Sequence, residues 1–137
     1  MELIEMTGIQ KFIVALAVLI LAGCGPKDMP SVDVKAASER LTQGELLLDI
    51  READDYKEFY IPNSMNIPYG RLKLRMAELE PYKSKTIMVI DHSGLRAPRA
   101  FELLQKAGYA QVFVVNGGIA EWKAAGLPVE TLDMQPQ

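Results

Sequence analysis

Three short and nearly continuous apolar runs constrain this chain more than any other feature of its sequence. They are residues 46–50 (LLLDI), 86–90 (TIMVI) and 112–115 (VFVV). Apolar runs of this length, without polar alternation, are typical of strands that are covered on both faces. The runs therefore predict an α/β domain in which helices cover both faces of a parallel sheet.

Segments in which apolar residues recur at helical spacing separate these runs. They predict helices around residues 72–79, 98–107 and 119–125. Pro98 suits a first helical turn, where its missing N–H leaves no hydrogen bond unmade, and Gly108 suits a helix end. A length of 137 residues is that of one domain, so no second domain is expected. The first of these helices is predicted from Leu72, Met76 and Leu79.

The N-terminal part carries a longer apolar run, residues 12–23 (FIVALAVLILAG), directly after Lys11. The run is shorter than the roughly 20 residues that cross a bilayer as a helix, and its length is typical of a signal-peptide core. A buried core helix is the alternative, but no polar residue interrupts the run as in an amphipathic helix. We therefore predict that residues 1–23 are a signal peptide. Because two glutamates precede Lys11, Met6 is a second candidate for the true start beside Met1, and mass analysis of the unprocessed precursor would distinguish them.

The apolar run ends in residues 21–24 (LAGC), which resemble a bacterial lipobox. The resemblance implies that Cys24 carries the lipid and becomes the first residue of the mature chain. Residues 24–30 are then a lipidated N-terminus and a tether that reaches about 20 Å, and residues 133–137 are expected to be a flexible tail. The implied partner is a membrane. The implied location is the bacterial cell envelope, lipid-anchored and facing the periplasm or otherwise extracytoplasmic, and Gly25 slightly favours the outer membrane.

The charge and the rare residue types exclude several kinds of site. The formal net charge is -3, and Lys and Arg never form a run, so neither a nucleic-acid partner nor a basic lipid-binding patch is expected. Cys24 is the only cysteine of the chain and His92 its only histidine. An intramolecular disulfide and a Cys/His zinc site are therefore excluded, and neither a metal nor a cofactor is predicted.

The second apolar run leads into a glycine-containing loop, which the predicted helix of Pro98 follows. Sites in parallel sheets form at the carboxyl ends of the strands. A loop of this kind directs several backbone N–H groups at one point, which makes it a cradle for an anion. We therefore take this loop as the candidate site and as the surface where a protein partner would bind. It consists of Asp91, His92, Ser93, Gly94, Leu95 and Arg96.

Three stretches, in order along the chain, resemble the signatures of the rhodanese family. Residues 48–52 (LDIRE) with 61–68 (IPNSMNIP) resemble the first signature. Residues 91–96 (DHSGLR) resemble the active-site loop of form Cys-x-x-Gly-x-Arg, and residues 115–129 (VNGGIAEWKAAGLPV) resemble the closing signature. The resemblance implies a rhodanese-like, five-stranded parallel sheet flanked by helices, formed as a single domain by residues 31–132.

The resemblance also implies sulfur transfer through a cysteine persulfide, from a donor such as thiosulfate to cyanide or a thiol. However, Asp91 stands where the nucleophilic cysteine belongs, and His92 stands where an arginine is common. Residues 59–60 (FY) replace a frequent Gly-His pair. Gly94 and Arg96 match the glycine and the arginine of the family's loop. The loop has the length of the sulfurtransferase type rather than that of the related phosphatases.

Asp91 changes the chemistry that the loop can support. A carboxylate is a hard, weak nucleophile that cannot form a stable persulfide, and Cys24 is predicted to be acylated on a separate tether. We interpret Asp91 as a built-in anion that plugs the cradle or caps the following helix. The alternatives are that Asp91 acts as a nucleophile or general base, or that it contacts a metal or a partner.

The neighbouring polar residues are interpreted as structural. His92 is expected to be an exposed loop residue, because adjacent residues on a loop seldom converge on one ion. Arg96 is expected to be structural, for example through an ion pair with Asp91, rather than to clamp a substrate. Asp49 and Arg51 match family positions that support the loop region, and we expect them to form a strand-end turn and an ion pair. Trp122 is predicted to pack in the core.

Three functions are consistent with the sequence. The first is a membrane-anchored, rhodanese-like binding or regulatory module that lacks sulfurtransferase activity. The second is an enzyme, either a sulfurtransferase that works with a partner's thiol or a hydrolase that uses Asp91. The third is a purely structural component of the envelope.

Overall fold

The structure, a computed structural model, describes residues 28–131 of the chain. Strands and helices alternate along this part of the sequence. Two 3-10 helices, Tyr69–Arg71 and Met76–Tyr82, lie between the third and the fourth strand. The other elements are β1 (Ser31–Val32), α1 (Val34–Thr42), β2 (Leu46–Asp49), α2 (Ala53–Glu58), β3 (Met65–Asn66), β4 (Ile87–Ile90), α3 (Ala97–Lys106), β5 (Val112–Val115) and α4 (Gly118–Ala124).

The five strands form one parallel sheet in the order β1-β5-β4-β2-β3. The three apolar runs are its three central strands, which confirms the predicted α/β fold with a five-stranded parallel sheet. In the register of the central pair, Asp49 lies opposite Ile90. The predicted strands were one residue too long at Ile50 and at Thr86, although the N–H of Ile50 still donates to the carbonyl of Ile90 over 2.9 Å.

Side chains on the central strands alternate between two apolar cores, one on each face of the sheet. Along β4, Ile87 and Val89 face the core beneath α3, whereas Met88 and Ile90 face the core beneath α1 and α4. All four residues of β4 are fully buried. Trp122 of α4 belongs to the second core at 1% exposure, which confirms its predicted packing role. Helices therefore cover both faces, as the unbroken apolar runs require.

The helix predicted around Leu72, Met76 and Leu79 is wrong in type. The structure has two 3-10 helices joined by a turn there, and Pro81 lies inside the second one. Leu72 and Leu79 are nevertheless fully buried. Apolar residues three to four apart mark a buried side in both helix types, so the spacing alone did not distinguish them. The helix predicted around residues 98–107 is confirmed as α3, with proline in its first turn.

The edge strand β1 connects the sheet to the N-terminal part of the chain. The N–H of Val114 donates to the carbonyl of Pro30 over 2.9 Å, so the ladder begins one residue before the predicted start of the domain. The predicted signal peptide, Cys24 and residues 133–137 lie outside the described residues. Within residues 28–131, no helix is both long enough and apolar enough to span a bilayer.

Candidate functional site

The candidate loop begins where β4 ends, at the carboxyl edge of the sheet. Asp91 follows Ile90 directly and is only 1% exposed. Its carboxylate accepts hydrogen bonds from three backbone N–H groups, those of Gly94, Arg96 and Ala97. The contacts of Oδ2 with the nitrogens of Arg96 and Ala97 are 2.5 Å and 3.0 Å long. Each carboxylate oxygen is thus engaged inside the cradle.

The same contacts complete the N-terminus of α3. The residue that precedes this helix, Arg96, offers no capping side chain, and the first N–H groups of a helix have no partner within it. Asp91 supplies that partner from the end of the neighbouring strand. A negative charge is also favourable at this end of a helix dipole. The loop therefore carries its own anion at the point where its amides converge.

The last helix fixes the position of the loop from the other side. Ile119 and Ala120 donate their N–H groups to the carbonyls of Asp91 and His92, over 2.9 Å and 3.0 Å. Gly118 allows this approach, because an added Cβ would lie 2.6 Å from the carbonyl oxygen of Asp91. The glycine also has a φ of 61°, which disfavours other residues. The glycine pair of the closing signature is thus part of the site.

The remaining loop residues face outward. His92 and Ser93 are exposed, and Leu95 is 81% exposed. The expected ion pair of Arg96 with the loop carboxylate is wrong, since its backbone N–H makes the contact and its guanidinium makes no ion pair within residues 28–131. The converging amides already satisfy the carboxylate, and the side chain of Arg96 is half-buried.

Asp49 and Arg51 form a buried ion pair at the end of the adjacent strand β2. Nε and Nη2 of Arg51 donate to Oδ2 of Asp49 over 3.0 Å and 2.8 Å, and its backbone N–H donates to Oδ1 over 2.9 Å. The two residues are 0% and 1% exposed. The expected strand-end turn and ion pair are present.

Arg51 also connects the sheet to α2. Its Nη2 donates to the carbonyl of Phe59 over 2.9 Å, and its guanidinium carbon lies 4.9 Å from the centre of the Phe59 ring. The ammonium of Lys123 lies 3.9 Å from the same ring centre. The side-chain amide of Asn66 donates to the carbonyls of Asp49 and Arg51, each over 3.0 Å. The ion pair thus holds one wall of the site in place.

Tyr56 provides a second attachment for α2, which has no buried residue of its own. Its hydroxyl donates to the carbonyl of Ser64 over 3.0 Å, and its ring stacks on Tyr60 with the centroids 5.3 Å apart. Burial raises the pKa of the Tyr56 hydroxyl above its ordinary value. The neutral phenol is therefore the form that supports this wall.

A cavity of about 450 Å³ opens above the loop. Asp91 lies in its lining, and α2 with the following residue contributes Asp55, Glu58 and Phe59. The sequence did not predict that Asp55 and Glu58 line this cavity, because α2 has no repeating pattern of apolar residues at helical spacing. The one indication that this segment is unusual was Phe59, which replaces a residue that is frequently Gly in the family. Within residues 28–131, no group of three or more His, Cys, Asp or Glu residues could hold a metal ion.

A comparison with known proteins identifies the family to which this architecture belongs. The family model named Rhodanese, which describes the rhodanese-like domain, matches residues 33–125. The chain belongs to the rhodanese family. The predicted rhodanese-like fold is therefore confirmed, and the matched segment contains both the Asp91 loop and the Asp49–Arg51 ion pair.

Individual relatives agree with this assignment. The chain is 32% identical to the uncharacterized protein YibN of Escherichia coli (strain K12), covering 83% of this chain and 82% of that protein. It is 32% identical to a protein named sulfurtransferase from Allochromatium vinosum, covering 72% and 92%. The crystal structure of a rhodanese-related protein from Thermoplasma volcanium matches with a TM-score of 0.65 and 32% identity, covering 74% of this chain and 97% of that one.

Proposed function

We propose that this chain is a rhodanese-like lipoprotein of the bacterial envelope that binds a partner at its Asp91 loop and does not transfer sulfur. The observation that carries the proposal is the buried carboxylate of Asp91, which accepts three backbone hydrogen bonds where the family resemblance expects a cysteine. The only thiol of the chain, Cys24, precedes the described domain.

The chemistry of the loop supports binding rather than sulfur transfer. Attack on sulfane sulfur needs a polarizable thiolate, which a carboxylate cannot replace. A free anion such as thiosulfate would also meet the negative charge of Asp91 at the centre of the cradle. The outward-facing side chains remain available for contacts with a partner. These are His92, Ser93 and Leu95, and the half-buried Arg96 lines the cavity beside them.

The first test compares the thiosulfate sulfurtransferase activity of the protein that keeps Asp91 with that of the Asp91→Cys variant. Both proteins carry Cys24→Ser, so the first has no thiol and the second has one, at residue 91. We expect no turnover with aspartate. The cysteine variant should gain on the order of 10²-fold over background, a small part of the roughly 10⁶-fold that removing a nucleophile costs in a protease. The loop amides would favour the thiolate there, as helix N-termini do.

Asp91→Ala in the same background is the matched control, because it removes the carboxylate without adding a thiol. It should be as inactive as the wild-type residue. Turnover by the wild-type residue, at a rate that Asp91→Ala abolishes, would refute the proposal and assign a catalytic role to Asp91.

The membrane anchor is tested separately, through Cys24. In cells, the wild-type chain is expected to sediment with the membrane fraction and to enter the detergent phase on phase separation. Cys24→Ser should lose most of this partitioning, because stable anchoring needs two or more acyl chains. The mass of the mature protein measures the modification directly. If the mass of the mature protein shows no acyl chains at Cys24, the lipid-anchor proposal is wrong.

The second candidate function is a sulfurtransferase that works with the thiol of a partner. It is favoured by the cavity above the loop, by Arg96 in its lining, whose guanidinium makes no ion pair within residues 28–131, and by relatives named as sulfurtransferases. In this case sulfur transfer would require a thiol protein from envelope extract and would decrease in Arg96→Ala. A hydrolase that uses Asp91 is disfavoured, because both carboxylate oxygens are engaged and the residue is 1% exposed.

A further inference from the structure

A second concave surface, which we call the basic groove, runs along the outer face of α3. Its volume is about 550 Å³. One wall is formed by Arg99, Leu103 and Lys106 of α3. The opposite wall comes from the region of the two 3-10 helices and includes Tyr69, Lys73 and Met76. None of these residues lines the Asp91 cavity.

The charge of the groove differs from that of the chain. Within residues 28–131, none of the three cations Lys73, Arg99 and Lys106 takes part in an ion pair. The one acidic residue in the lining is Glu102, so the groove carries a net charge of about +2 on a chain of net charge -3. The fold joins these cations from positions that are far apart in sequence, so the charge pattern along the chain did not indicate the groove.

Apolar surface accompanies these cations. Met76 and Leu103 line the same groove, and Leu74, directly after Lys73, is 77% exposed. An inorganic anion would use the charges and leave this apolar surface uncovered. A protein segment with acidic and apolar side chains would use both.

We propose that the basic groove binds an acidic, leucine-containing segment of a partner protein. Arg99 and Lys106 are seven residues apart on α3 and therefore about 10 Å apart along its axis. An extended peptide spans this distance with about three residues at about 3.3 Å each. Side chains on one side of an extended peptide are two or four residues apart, so two carboxylates four residues apart would meet the two flexible cations, and the apolar side chain midway between them would contact Leu103. This inference does not depend on the role of Asp91.

The test uses the full-length chain in nonionic detergent and a fluorescein-labelled peptide, Gly-Glu-Ser-Leu-Ser-Glu-Gly, whose binding is followed by fluorescence anisotropy. We expect binding at low ionic strength that weakens as salt is added. The double variant Arg99→Glu/Lys106→Glu should bind about tenfold more weakly, because two attractive charges become repulsive. Lys73→Glu, on the other wall, should weaken binding in the same direction.

The matched control is Lys35→Glu/Lys85→Glu, which changes the net charge equally at two exposed lysines outside the groove. It should bind the peptide within about twofold of the wild type. Equal loss in both double variants would show a general charge effect and overturn the proposal. Absence of peptide binding by a folded wild type would overturn it as well. So would groove-dependent binding to phosphatidylglycerol vesicles without peptide binding, which would indicate a lipid surface.

Discussion

Asp91→Ala is expected to lower the free energy of unfolding by about 3–5 kcal/mol. The substitution leaves the N–H groups of Gly94, Arg96 and Ala97 without their acceptor. An unsatisfied buried donor costs about 1–3 kcal/mol, and water can reach part of this loop, which limits the sum. The start of α3 also loses its capping charge. Urea denaturation of the variant and the wild type measures the difference.

Sulfate or thiosulfate should restore part of this loss in Asp91→Ala. The vacated amides form an anion site at the N-terminus of a ten-residue helix, and a ligand that binds only the folded state stabilises it by about 2.7 kcal/mol at 100 times its Kd. The wild type should gain only the general effect of the salt, because its own carboxylate fills the site.

Asp33→Ala is the matched control for this rescue. Asp33 also caps a helix, since its carboxylate accepts the N–H groups of Lys35 and Ala36 at the start of α1. This cap is exposed, so its removal should cost about 1 kcal/mol and leave no enclosed anion site. If sulfate stabilises Asp33→Ala as much as Asp91→Ala, the carboxylate of Asp91 does not fill a cradle.

Arg51→Met is the second substitution with a large expected effect. It removes every side-chain donor from the carboxylate of Asp49, which is fully buried and keeps only the backbone N–H of Arg51. Breaking a buried ion pair on one side costs about 3–5 kcal/mol. For a domain of this size we expect the melting temperature to fall by more than about 10 °C. Thermal unfolding followed by circular dichroism measures it.

Two further variants test the cause of this effect. Asp49→Leu/Arg51→Met should recover part of the lost stability, because no uncompensated charge is left in the interior. Arg75→Met removes the ion pair with Glu78, whose 2.6 Å contact is as short but lies at the surface, and should change the melting temperature little. A double variant that recovers no stability over Arg51→Met would mean that the hydrogen bonds to Phe59 and Asp55, which both variants lack, dominate rather than the buried charge.

The central strands were predictable because their continuous apolar sequences require burial on both faces. A run such as residues 86–90 cannot remain in water, and its lack of polar alternation leaves no face for solvent. The edge strands β1 and β3 are two residues each and have too few positions to show a period. Their pairing depends on neighbours that are distant in the chain, such as β5 for β1. Local patterns therefore could not identify them.

The part of the candidate site that the sequence predicted is the part that depends on residue type alone. Asp91 is not a thiol in any conformation, and the chain has one cysteine, Cys24. Which groups the carboxylate would bind was not predictable. The expected partner was the guanidinium of Arg96, whereas the structure has its backbone N–H, because the turn of the loop directs amides at Asp91 first. Backbone direction is a property of the fold and is not encoded in residue type.

The sequence by itself determined the layered α/β architecture, through continuous apolar runs that must be buried on both faces, and the absence of a thiol from the loop. Only the tertiary structure decided what surrounds Asp91 and which surfaces are charged. Asp55 and Glu58 reach the cavity because Arg51 holds the region of α2 against the sheet. Lys73 lines a groove together with residues of α3 because the 3-10 helices pack beside α3. Contacts between residues distant in the chain arise from packing, which no local pattern specifies.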